Sequence, residues 1–118
     1  MDRNFALLHG TSVTRAIAIC ATQTFARHDT YLVSTDNRDV AIFFAGRAGA
    51  RDDSGPALVE VVVEESALDL LRNHQFMKLT SFDEQDDPRL RGRNQWIIQA
   101  GAMDYLNRGI LEVSWEHV

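Results

Sequence analysis

The chain predicts an α+β domain, or an α/β domain with a mixed sheet, and three observations carry that expectation. Segments with a two-residue apolar repeat alternate with segments of helical repeat from Asn4 to Trp115. The strongest strand signal, residues 57–63 (ALVEVVV), puts Val59, Val61 and Val63 on one side and Glu60 on the other. No glycine-rich phosphate loop opens the first helix, so neither a Rossmann domain nor a P-loop is supported.

The elements follow in order. Residues 4–9 (NFALLH) read as a short strand ending at Gly10. Thr11, Ser12 and Thr14 offer cap oxygens for a helix over about residues 14–24. Ile17, Cys20 and Ala21 recur there at helical spacing, which makes Cys20 a packing residue rather than a nucleophile. Residues 25–30 form a loop, and residues 31–35 (YLVST) a strand of β-branched and aromatic types. Asp36 and Asp39 favour a helix start, with the helix running to about Ala45. Residues 46–56 (GRAGARDDSGP), crowded with glycine and aspartate, read as a flexible loop. After the valine-rich strand, Ser66 caps a short helix, ALDLLRN. Residues 83–92 are charged and irregular. In the strand 94–99 (NQWIIQ), Gln95, Ile97 and Gln99 share one side, and Trp96 and Ile98 pack on the other. A helical turn over residues 102–107 is closed by Gly109, and residues 110–115 (ILEVSW) form the last strand. No repeat or linker divides residues 1–118, so a single domain is expected.

At 118 residues, with 45% hydrophobic and 25% charged side chains, one compact domain should bury roughly two-thirds of its unfolded surface. No apolar run approaches the ~20 residues needed to span a bilayer, and the N-terminal MDRNFALLHG predicts no signal peptide. Cys20 is the one cysteine, so no internal disulfide forms and a reducing cytoplasmic location is expected. The net charge of −5 argues against broad electrostatic binding of nucleic acid or anionic membrane. His28, His74 and His117 lack metal-like spacing with Cys20 or with each other, so no metal is expected.

Four segments in order carry a resemblance: LLHGTS at 7–12, TYLVSTDNRDVAIFFA at 30–45, ALVEVVV at 57–63 and NQWIIQ at 94–99. Together they resemble the ADP-ribosyltransferase superfamily, in its diphtheria toxin and poly(ADP-ribose) polymerase-like branch. The resemblance spans Leu7 to Trp115 and implies a mixed, mostly antiparallel split β-sheet with short flanking helices. It implies NAD as substrate and no metal. By position, His9 would sit at a strand end and bond the adenosine ribose, Gly10 would present backbone to the nicotinamide amide, and Thr11 would lie at a ribose. Tyr31 would stack on the nicotinamide ring, with Phe43 or Phe44 on its other side; such ring pairs are worth about 0.5–1.5 kcal/mol beyond buried area. Gln95 departs from the pattern, because active members usually carry glutamate there. A carboxylate stabilises the positive ribose of the transition state and a carboxamide does not, a loss of roughly 3–4 kcal/mol by analogy with a missing oxyanion donor. Weak or mono-transfer activity, or a cleft that binds without turnover, follows. Ser34-Thr35 resembles an element of the cholera-like branch, but that branch has arginine where this chain has His9.

The loop before Gln95 usually reads the acceptor in this family, which makes Arg89, Arg91 and Arg93 candidates to touch a phosphate or acidic target. Taken singly, each residue has a plainer role. His9 is a polar strand terminus, Tyr31 core or rim, Phe43 and Phe44 core, Glu60 a solvated strand residue, and DEQDD with RLRGR a solvated loop. The functional case rests on their joint occurrence. It implies an NAD-dependent, toxin-like transferase moving ADP-ribose to a protein or nucleic-acid acceptor, with an inhibitor or antitoxin protein among the implied partners. The alternatives are a weak or inactive NAD- or ADP-ribose-binding module, and an RNA 2′-phosphotransferase-like enzyme, which needs a basic cleft this acidic chain does not show.

Overall fold

The computed structural model describes residues 3–25, 31–33, 38–81 and 94–118; for 31–33, 78–81, 94, 95 and 100 it describes the backbone alone. Strand β1 (Asn4–Ser12) leads into helix α1 (Val13–Thr22), and β2 (Tyr31–Val33) precedes α2 (Arg38–Asp52). Next come β3 (Pro56–Glu64), α3 (Glu65–Asn73), β4 (Met77–Ser81) and β5 (Asn94–Ile98). A 3₁₀ turn (Ala100–Ala102), α4 (Met103–Arg108) and β6 (Ile110–His117) complete the chain. The architecture is α+β, with two three-stranded antiparallel sheets ordered β1-β3-β6 and β2-β5-β4. No parallel pair occurs among the described residues, so the expected mixed sheet is not seen there. Nor, among them, is any helix long and apolar enough to cross a membrane.

Strand β3 is the centre of the first sheet, and its alternation decides what each face does. Val59, Val61 and Val63 are fully buried, opposite His9, Leu7 and Phe5 of β1, while Glu60 is exposed. Onto this face pack Ala16 and Ile19 of α1, Leu68 and Leu71 of α3, and Met103 and Leu106 of α4. Met77 and Ile98, paired across β4 and β5, bring the second sheet into the same cluster. Helix α2 covers the other face of β1 and β3, which carries Gly10 and Leu58.

Several boundaries differ from expectation, each for a packing reason. Strand β1 does not end at Gly10 but pairs with β3 as far as Ser12 opposite Pro56. Ser12 caps α1, its Oγ accepting the Arg15 N–H at 3.2 Å, and the helix ends at Gln23 in left-handed geometry, φ 57°. The buried face of α1 is Ala16 and Ile19, with Cys20 half-buried against the same core as expected; Ala21 is exposed and Ile17 is 52% exposed. The run AIAICA is apolar on every side of a helix, so periodicity could not select the face.

Residues 46–52, expected as loop, continue α2 to Asp52. Gly10 and Gly49 explain this. A Cβ on Gly10 would fall 1.7 Å from the Ala41 carbonyl oxygen, and one on Gly49 would fall 2.2 Å from the Gly55 carbonyl carbon. These residues let helix and strand backbones approach closely, so the glycines mark contact rather than flexibility. Ser66 lies inside α3, whose N-cap is Glu64, and the Glu65 N–H bonds the Arg3 carbonyl at 2.8 Å. Strand β4 was not expected; it gains its status by pairing with β5. Gly109 follows α4 in right-handed geometry, φ −95°, and a Cβ there would fall 2.3 Å from the Ala67 Cβ.

Candidate functional site

His9 lies within β1, half-buried, on the sheet face of Leu7 and Val59. Its imidazole meets the ring of Phe25 edge-on, with centroids 5.7 Å apart and an interplanar angle of 88°. Such T-shaped pairs are favourable because a ring's positive edge meets a negative face. Phe25 is 2% exposed and lies just beyond α1, after Gln23 and Thr24. Its backbone is held by one side chain from α4. Phe25 N–H donates to Asn107 Oδ1 at 2.9 Å, and Asn107 Nδ2 donates to the Phe25 carbonyl at 3.0 Å. This carboxamide imitates one rung of a strand ladder. Gln23 does the same for edge strand β6, accepting from Val113 N–H at 3.1 Å and donating to its carbonyl at 3.4 Å. A surface cleft of about 460 Å³ lies against the first clamp, lined by Thr24, Phe25, Asp104, Asn107 and Arg108.

The remaining candidates divide among three places. Gly10 abuts the backbone of α2, so the space a Cβ would need is already filled by protein. Thr11 is 2% exposed and opposite Ala57. Phe43 and Phe44 pack edge-to-face with each other and against Val40 on α2, which covers the face of β1 opposite His9. The Arg47 guanidinium lies 5.7 Å from the Phe43 ring centroid. Tyr31 pairs with Ile98, and Gln95 pairs with Thr80. Pleat alternation therefore puts position 31 on the face of buried Ile98, and position 95 on the other face with position 97. Positions 9 and 31 thus lie on the faces of their sheets that contribute to one core, and position 95 does not. Strand β1 contacts β2, and β2 pairs with β5, so all three bearing strands are spatial neighbours. Arg89, Arg91, Arg93, Ser34, Thr35 and Asp36 lie outside the described residues.

The N-terminus of α1 is closed by its own chain. Val13 N–H donates to the Gly55 carbonyl at 3.0 Å, Thr14 N–H to Ser54 Oγ at 3.1 Å, and Arg15 N–H to Ser12 Oγ. Three donors that a phosphate would need at a helix start are therefore taken. Asp52 completes the knot. Hydrogen bonds from the Ser12 and Ser54 hydroxyls and the Ser54 N–H, with Arg15 nearby, hold its carboxyl below the usual carboxylate range. Burial pushes the Cys20 thiol up, away from the reactive thiolate. Among the described residues no three His, Cys, Asp or Glu side chains gather to hold a metal ion.

Comparison with protein-family models, with curated proteins and with solved structures returns no match.

Phe25 and Asn107 were missed from sequence. They stand 82 residues apart, one in an expected loop and one in a short terminal helix, and no periodicity joins them. The one visible signal is Phe25 itself, a large apolar residue in a polar stretch.

Proposed function

We propose that the chain is an NAD-dependent transferase of ADP-ribosyltransferase type, holding the dinucleotide beside His9 and Tyr31 and passing ADP-ribose to a macromolecular acceptor. The observation that carries the proposal is the adjacency of β1, β2 and β5. The HGT, YLV and NQWII segments are far apart in sequence and consecutive neighbours in space. Catalysis in such a site is mainly positioning, with the glycosidic bond to nicotinamide breaking as an acceptor attacks the exposed anomeric carbon. Purified chain incubated with labelled NAD and cell lysate should release nicotinamide and label a macromolecule. A folded chain that does neither refutes transfer.

A second reading, a module that binds NAD or ADP-ribose without turnover, is favoured by position 95. Its side chain is a carboxamide, and its register position lies on the sheet face away from position 31. Calorimetry showing NAD binding with no nicotinamide release selects this reading. Gln95→Glu discriminates further. If position 95 reaches the ribose, the variant should raise NAD cleavage by about a hundredfold to a thousandfold. An unchanged rate removes position 95 from the site.

A further inference from the structure

The ring of Phe25 meets the His9 imidazole, and the Phe25 backbone is bonded by an element distant in sequence. Phe25 follows the left-handed Gln23 at the end of α1, beyond the reach of helical hydrogen bonding. The element that holds it is α4, through the paired Asn107 bonds at 2.9 and 3.0 Å. One carboxamide bonding both backbone groups of one residue fixes position and orientation together, which a single bond does not. Burial of Phe25 to 2% exposure then leaves its ring little freedom to turn. The imidazole lies edge-on to that ring at 88°, a contact that favours one orientation of its plane.

We propose that Asn107 is a positioning residue for His9, acting through the backbone and ring of Phe25 so that the imidazole is oriented before any ligand arrives. The inference deepens the dinucleotide reading and depends on it for its meaning in binding, while the geometry itself is readable without NAD. Pre-orientation matters because a misplacement of about 1 Å at a binding group costs as much as 10²-fold in rate.

The test uses the full chain, with three variants and two readouts. Asn107→Leu removes both bonds at similar size, Asn107→Asp keeps the acceptor and loses the donor to the Phe25 carbonyl, and Phe25→Leu removes the ring. Gln23→Leu is the control, because it breaks the equivalent clamp on Val113 and leaves Asn107 and Phe25 paired. The first readout is the NMR signature of the His9 ring protons, with their cross-peaks to Phe25. The second is NAD affinity by calorimetry. We expect Asn107→Asp and Phe25→Leu to shift the His9 signals, and both to weaken NAD binding roughly tenfold or more. Gln23→Leu should lower thermal stability with the His9 signals in place. Asn107→Asp serves where Asn107→Leu fails to fold. Unmoved His9 signals in Asn107→Asp overturn the proposal, and so does an equal shift in Gln23→Leu, which would make the effect general. If the wild-type chain binds no NAD, the dinucleotide reading falls, and the His9 spectra still decide whether Asn107 orients the imidazole.

Discussion

Gly10 offers the sharpest test of how this fold is held, because ligand approach and helix packing predict different failures. In Gly10→Ala the new Cβ would lie 1.7 Å from the Ala41 carbonyl oxygen and 2.8 Å from the Ala45 nitrogen. An ordinary C···O contact needs about 3.3 Å, so α2 would have to retreat by roughly 1.6 Å. The obstacle is helix backbone, which cannot swing aside as a side chain does. Retreat would also uncover Val40, Ala41, Ala45 and Leu58, all now at most 3% exposed. We expect a loss at or beyond the top of the ~1–3 kcal/mol range for overpacking. At roughly 3–5 °C per kcal/mol for a chain of this size, the melting temperature falls by about 10 °C or more. Gly46→Ala, on the same helix with nothing within 4 Å of the added Cβ, is the internal control. It should gain about 0.5–1 kcal/mol from reduced backbone entropy in the unfolded chain. Thermal melts and urea unfolding of the two variants beside wild type give the answer. Gly10→Ala within about 1 kcal/mol of wild type would refute the packing account. If it also lost NAD binding, Gly10 would be a glycine for ligand approach.

Further outcomes follow from single residues. Leu106→Ala, at a fully buried position of α4, should cost about 2–5 kcal/mol in urea unfolding, and a cost below 1 would mean the core collapses onto the gap. Asp52 has a lowered pKa in the folded state, so its contribution to stability is present above the ordinary carboxylate value and lost as pH falls through the folded one. The melting-temperature difference between wild type and Asp52→Asn should therefore shrink as pH drops below about 4, and a constant difference would show that the carboxylate charge plays no part. Cys20, its thiol pushed up by burial, should react with iodoacetamide more slowly at neutral pH than a free thiol, and the rate should rise only at more alkaline pH.

The strand β3 was legible from residues alone because its alternation is strict. Val59, Val61 and Val63 can only share a face, and that face is the core. The helix start at Ser12 was legible among three hydroxyl candidates, and the structure chose the one whose Oγ reaches the Arg15 N–H. Residues 46–52 misled because glycine signals both flexibility and close approach, and only the position of β1 and Gly55 distinguishes the two. Strand β4 was invisible because MKLTS has no partner until β5 pairs with it. At the candidate site, the presence of His9, Tyr31 and Gln95 on strands was legible, and the register that separates position 95 from position 31 was not.

Local chemistry alone narrowed the fold to α+β or α/β: an alternating valine strand, capped helices and an acidic, single-cysteine chain with enough apolar residues for one core. Those properties depend on neighbours a few residues away, where periodicity and capping act. Tertiary structure decided which face of α1 is buried, why Gly10 and Gly49 are glycine, and that Asn107 holds Phe25 against His9. Each of these is a contact between segments distant in sequence, and the space available to a side chain is set by the element that arrives opposite it.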